Sequence, residues 1–262
     1  MTIDRAIIGG TGFYDPRLLE DTEEQVLKNK YGEAHLLTGS YKGVSIAFLT
    51  RHGASHNIPP HRINHKANIT ALKELGVKRV LATTAVGSLR GNLLPGALVI
   101  IDQFIDNTRG NVCTFYDGED GEVVHTDFTY PYCPQIRKYL AAVMTEKRIP
   151  YVDGGTYLTT DGPRYESPAE IKVYAHWGAD VVGMTNAPEA ILAREAGLCY
   201  ANLSLVTNYA AGISAHPLNH QEVVEMMGRK IELIREVFLD TLTVMPPDRV
   251  CLCGESTEAM HN

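Results

Sequence analysis

Basic excess is the first thing this sequence lacks: 24 Lys and Arg stand against 31 Asp and Glu, a formal charge of −7. Such a chain does not coat nucleic acid or sit on an anionic membrane face, although one local basic pocket is compatible with it. Long apolar runs are missing too. None reaches the roughly 18 residues of a membrane span. The opening Met-Thr-Ile-Asp-Arg-Ala-Ile-Ile-Gly-Gly enters a strand pattern at once, without the long apolar region of a signal peptide. A soluble cytoplasmic protein is expected. There is no phosphate-binding Walker pattern and no Gly-x-Ser-x-Gly elbow. Gly9-Gly10-Thr11-Gly12 falls short of a dinucleotide fingerprint.

Cysteine is scarce: Cys113, Cys133, Cys199, Cys251 and Cys253 among 262 residues. Three are scattered and are expected to be reduced. Cys251-Leu252-Cys253 could bridge only through a small, strained and reducible ring. Two thiols in a tail are the plainer expectation, and this stretch offers too few ligands for a metal site.

What is there is ordinary globular material, 44% hydrophobic and 21% charged, enough for one large core. Apolar runs at 5–10, 44–50, 80–84, 98–102, 155–160, 181–184 and 199–207 read as strands. Residues 64–75, 134–147, 168–177, 188–196 and 222–242 have helical spacing, with Ser167 at an N-cap and Gly76 and Gly197 as stops. Residues 54–65 read as loop, and 107–127 as a long polar excursion. Strand and helix alternate without repeats or linkers, which predicts a single α/β domain over 1–262 with helices on both faces of its sheet.

Four polar clusters follow predicted strands: Gly10-Thr11-Gly12, Arg51-His52, Thr83-Thr84-Ala85 and Met184-Thr185-Asn186. Strand ends are where open α/β sheets bind ligands. Arg51 supplies a permanent planar cation, the threonines supply hydroxyls, and Ala85 and Gly87 allow a ligand close to the backbone. Together they describe an oxyanion site. Separately each is only a turn. His52, His56, His61 and His65 invite a metal reading, but Pro59-Pro60 breaks any helix through them and no carboxylate or cysteine sits among them. A loop whose histidines bond a ligand or a neighbouring subunit is expected instead, with no metal.

Five stretches carry a resemblance: Ile7-Ile8-Gly9-Gly10-Thr11-Gly12, Arg51-His52-Gly53, Thr83-Thr84-Ala85-Val86-Gly87-Ser88, Asp161-Gly162-Pro163-Arg164-Tyr165-Glu166 and Gly183-Met184-Thr185-Asn186-Ala187-Pro188-Glu189. In kind and order they resemble the trimeric purine nucleoside phosphorylase and methylthioadenosine phosphorylase family, from about residue 5 to about residue 240. Ile101-Asp102-Gln103-Phe104-Ile105-Asp106 is closer in texture to the methylthioadenosine branch. The resemblance implies a three-layer α/β/α fold around a mixed, partly barrel-like sheet. It implies reversible phosphorolysis of a purine nucleoside, with inorganic phosphate as co-substrate and no metal or organic cofactor. It implies phosphate contacts at Thr11, Arg51, His52, Thr84, Ala85 and Thr185, with Met184 against the ribose and Ala210 beside the base. Tyr165 matches the aromatic on the purine face, Tyr where Phe is usual. His125 resembles a residue reaching a neighbouring subunit's 5′ pocket, so a trimer or dimer of trimers is implied.

Three positions bear on the substrate. Asn208 stands where the methylthioadenosine branch has Asp; an amide donates to N7 and O6 of a 6-oxopurine. Glu166 stands where that branch has Ser; its carboxylate accepts from N1–H and a 2-amino group. His220 stands where methylthio-specific enzymes are apolar, which suits a 5′-hydroxyl. The plain alternatives are a loop Asn, a helix-flanking Glu and a histidine in a first helical turn. The expected protein is a 6-oxopurine nucleoside phosphorylase with Asn208 and His52 as catalytic residues. Methylthioinosine and methylthioadenosine phosphorylases remain as alternatives, and a non-catalytic nucleoside binder is the reading outside enzymes.

Overall fold

Lys42 and Gly43 both take positive φ, 49° and 77°, as a two-residue hairpin turn of the I′ type demands. They join the strand expected at 44–50 to a preceding hairpin, residues 20–41, where no element is predicted from the sequence. The structure is a computed structural model describing residues 3–260 except 11–12, 14, 54–56, 110–112, 120–122, 215 and 256. Its elements in chain order are β1 (Arg5–Gly9), β2 (Glu20–Asn29), β3 (Gly32–Tyr41), β4 (Val44–Thr50), α1 (His65–Glu74), β5 (Arg79–Ser88), β6 (Leu98–Ile100), β7 (Gln103–Asp106), β8 (Val123–Thr126) and α2 (Pro134–Glu146). There follow β9 (Val152–Asp153), β10 (Thr156–Thr159), α3 (Pro168–His176), β11 (Val181–Gly183), α4 (Asn186–Glu195), β12 (Cys199–Tyr209), α5 (His220–Val244) and β13 (Thr257–Met260). The omitted hairpin is legible only in hindsight: β2 is exposed along most of its length, so it lacks the apolar alternation by which strands are recognised.

Eleven strands form one mixed, unclosed sheet in the order β2-β3-β4-β1-β5-β11-β10-β7, with β12 on the other edge of β5, and β6 and β9 beyond it. β1, β4, β5 and β12 run parallel, so their carboxyl ends share one side. Side chains alternate across this sheet. Ile7, Leu81, Leu203 and Leu205 pack into a core with α2 and α5, while Ala6, Ile8, Val80 and Tyr200 pack into another with α1 and α4. The three-layer α/β arrangement expected from the sequence is thus present. Ser167 caps α3 as expected, with its side chain accepting from the Glu170 N–H and the Glu170 carboxylate accepting from the Ser167 N–H. α5 starts two residues earlier than its apolar spacing suggests, because the Asn219 side chain accepts from the Gln221 N–H and caps it there. Among the described residues no helix is long and apolar enough to cross a membrane.

Candidate active site

The first surprise concerns β5. Small polar residues at 83–88 predict a loop after a short strand, yet the strand continues to Ser88. The cause is β12, which pairs with it from Arg79 to Ser88 across a bulge between Val206 and Asn208. The other edge of β5 is shared: β1 covers it as far as Ala82 and β11 resumes only at Gly87. Residues 83–86 therefore face a gap in the sheet with their backbone edge turned toward it. A cavity of about 380 Å³ opens there, within the size range of small-molecule sites.

Arg51, directly after β4, fills one side of the gap. It is 2% exposed. Its Nη1 donates to the Thr83 carbonyl at 2.9 Å, and its Nε and Nη2 donate to the two Glu189 carboxylate oxygens at 2.8 and 2.9 Å. Three of the five guanidinium N–H groups are so engaged. Burial alone would push the Glu189 carboxyl up; the Arg51 charge and its hydrogen bonds hold it below its ordinary value. The pair is closed off by the Tyr200 hydroxyl, which donates to Glu189 at 2.7 Å, by Asn186, whose amide donates to Tyr200, and by Tyr132, which donates to Asn186. The pair is neutral overall, so what it offers an anion is oriented donors more than net charge. The N-terminus of α4 adds to them, and its N-cap Thr185 makes no side-chain capping bond. His52 contacts the Ile58 carbonyl through Nδ1 at 2.8 Å, which fixes its ring against the loop. Thr84 Oγ1 lies 2.9 Å from Ser204 Oγ and 3.2 Å from Asn202 Oδ1.

Two glycines shape this wall. A Cβ at Gly183 would collide with the Tyr157 hydroxyl, and one at Gly162, where φ is +65°, would meet Met184 Sδ at 2.5 Å. Their absence lets β11 and the 160s loop close on the cavity.

The far end is polar and oriented. Asn208 is 6% exposed. Its Oδ1 accepts from the Thr207 hydroxyl at 2.8 Å and its Nδ2 donates to the Tyr209 carbonyl at 2.9 Å. Glu166 is 8% exposed and accepts from the Thr160 hydroxyl at 2.8 Å. The Tyr165 hydroxyl meets His220 Nδ1 at 3.1 Å, joining the 160s loop to the first turn of α5. Burial and the neighbouring Glu166 charge push the Tyr165 phenol up.

Arg51, His52, Thr84, Ala85, Tyr165, Glu166, Met184, Thr185, Asn208, Ala210 and His220 all line this one cavity. Thr11 and His56 lie outside the described residues. His125 does not line the cavity of its own chain; it is exposed on β8, paired opposite Glu258 of β13. Among the described residues the loop histidines do not converge on one point. His65 instead is buried at the start of α1 with Nδ1 lacking a partner, and burial pushes its imidazole down to about 4. Sequence reasoning missed Glu189, because nothing local tells that an acid in α4 meets an arginine 138 positions away. It also missed the apolar wall of Leu218 and, on α5, Val223, Val224, Met227 and Ile231, because the spacing of those four reads as core. The cysteines depart from expectation as well: Cys251 and Cys253 are not a loose tail but pack with Cys133 and Cys199.

One cavity thus holds a buried arginine with its donor set together with an oriented amide and carboxylate, groups whose chemistry suits an anion and a polar heterocycle. The family model described as "Phosphorylase superfamily" matches residues 4–243, and the chain belongs to that family. A probable 6-oxopurine nucleoside phosphorylase of Dictyoglomus turgidum is 58% identical over 95% of this chain and 94% of its own length. A 6-oxopurine nucleoside phosphorylase of Pyrococcus furiosus is 49% identical over 96% of each. Among solved structures, methylthioadenosine phosphorylase from Schistosoma mansoni with adenine superposes with a TM-score of 0.88 at 32% identity, over 94% of this chain and 93% of that one.

Proposed function

We propose that this phosphorylase splits 6-oxopurine ribonucleosides, inosine and guanosine, with inorganic phosphate. The carrying observation is Asn208: an amide with Oδ1 tied to Thr207, in the same cavity as Arg51. Phosphate sits against Arg51, His52, Thr84, the Ala85 N–H and Thr185, with Thr11 completing the set. Its oxygen forms a bond to C1′ of the ribose while the C1′–N9 bond breaks. The purine leaves with the bonding pair and takes up a proton, giving the free base and ribose 1-phosphate. Charge moves from the sugar side onto the base in the transition state, so a donor aimed at N7 and O6 is strengthened as the reaction proceeds. Asn208 supplies it, and Glu166 accepts from N1–H and a 2-amino group. Tyr165 lies on the purine face, Met184 against the ribose and Ala210 beside the base. Phosphate serves as co-substrate and no organic cofactor takes part.

A second reading rests on the apolar wall beside His220, which would also receive a 5′-thioether. It is in keeping with a 43% identical relative in Methanocaldococcus jannaschii, a probable S-methyl-5′-thioinosine phosphorylase. In the assembled enzyme, a trimer or dimer of trimers, His125 of a neighbouring subunit closes the 5′ end. The test is release of ribose 1-phosphate or its thio analogue from inosine, guanosine, methylthioinosine, adenosine and methylthioadenosine. Inosine and guanosine are expected to lead. Methylthioinosine in front would favour the second reading; a 6-amino substrate in front would refute both. Binding of guanine and phosphate without turnover would make the protein a nucleoside binder.

A further inference from the structure

Four of the five cysteines meet in space, all but Cys113. Cys133 is the N-cap of α2, Cys199 begins β12, and Cys251 and Cys253 flank the start of the 3-10 turn at Leu252–Glu255. Their four sulfurs all lie within 4.8 Å of one another. Cys251 Sγ is 3.6 Å from Cys133 Sγ and 3.3 Å from Cys199 Sγ. These are non-bonded separations. One thiol approaches two others at once, whereas disulfide pairing would give each sulfur a single partner near 2.0 Å.

We propose that Cys133, Cys199, Cys251 and Cys253 form a structural zinc site, a tetrahedral tetrathiolate that clamps the C-terminal segment to the sheet. A Zn–S bond of about 2.3 Å in tetrahedral geometry puts the ligand sulfurs about 3.8 Å apart, close to the separations here. Donor number and donor softness match zinc rather than a hard cation. The setting favours thiolate. Cys133 sits at the N-terminus of α2, where partial positive charge stabilises an anion. Cys133 and Cys253 are about 1% and 2% exposed and Cys199 1%, so a cluster of thiolates without a dication would be a buried charge without compensation. Each ligand that enters as a thiol releases its proton on binding. The clamp joins residue 133 to residue 253 and directs the chain into β13, which pairs with β8. It stands apart from the catalytic cavity, none of whose lining residues is a cysteine.

The test uses the whole protein purified under reducing conditions from zinc-supplemented medium. About one zinc per chain is expected by elemental analysis, together with four thiols that react only after the metal is displaced. Replacement by cobalt(II) should give sulfur-to-metal charge transfer and tetrahedral d–d bands. Cys251→Ser and Cys253→Ser should each lose the metal and lower the thermal midpoint by several degrees while inosine turnover at moderate temperature persists. Protein free of metal, cobalt spectra without thiolate bands, zinc retained by both variants, or an intact mass lower by four hydrogens (two disulfides) would each overturn the proposal. The cobalt spectrum of the unaltered chain decides the matter even if the variants fail to fold.

Discussion

Asn208→Asp is the substitution that interrogates the site most directly. In the folded chain Asn208 Oδ1 accepts from Thr207 Oγ1 at 2.8 Å and Nδ2 donates to the Tyr209 carbonyl at 2.9 Å. Aspartate keeps the first bond. It turns the second into two acceptor oxygens facing each other, at a position 6% exposed. Losing a buried donor costs about 1–3 kcal/mol, so the thermal midpoint falls by a few degrees. The same lost donor is withdrawn from the carbonyl edge of a 6-oxopurine, and a carboxylate oxygen there repels O6. At about 1.4 kcal/mol per tenfold, kcat/KM for inosine drops by roughly 10- to 100-fold. A 6-amino group, in contrast, finds an acceptor, so the adenosine-to-inosine ratio rises by at least about 10-fold. Phosphorolysis of both nucleosides at saturating phosphate, with released base quantified, measures the ratio. A folded variant whose ratio stays within about twofold of the parent would refute the reasoning, because position 208 would then not read the base.

Two further outcomes follow from buried charge. Glu189→Gln leaves the Arg51 guanidinium without its counter-ion, a loss of about 3–5 kcal/mol for a buried pair. Inorganic phosphate should restore part of it, raising the variant's thermal midpoint more than the parent's; an equal rise in both would mean the anion does not rest on Arg51. His65 is pushed down to about 4 by burial, below the ordinary value near 6.5. The unfolded chain therefore binds the extra proton between about pH 6.5 and 4. Stability from this group is full above that window and falls as pH drops through it, by up to about 3 kcal/mol. Thermal midpoints across pH 5–8 for the parent and His65→Gln check this; curves of the same slope would exclude His65 as the source.

Local patterns settled much of this molecule. Capping at Ser167, the stops at Gly76 and Gly197, and apolar runs such as Cys199–Thr207 depend on near neighbours in the chain, and they fold as their chemistry dictates. The candidate ligand groups at Arg51, Thr84 and Thr185 are visible because small and polar residues follow predicted strands, and Asn208 through the family resemblance; the parallel order of β1, β4, β5 and β12 carries the ends of β4, β5 and β12 to one side. Other features required the fold. The extension of β5 to Ser88 comes from its pairing with β12, and the gap at residues 83–86 exists only because β1 ends before β11 begins. The Arg51–Glu189 pair and the meeting of four cysteines join positions 138 and up to 120 residues apart. Partners so distant leave no periodic trace in the chain; only the register of strands and the docking of helices decide which side chains meet.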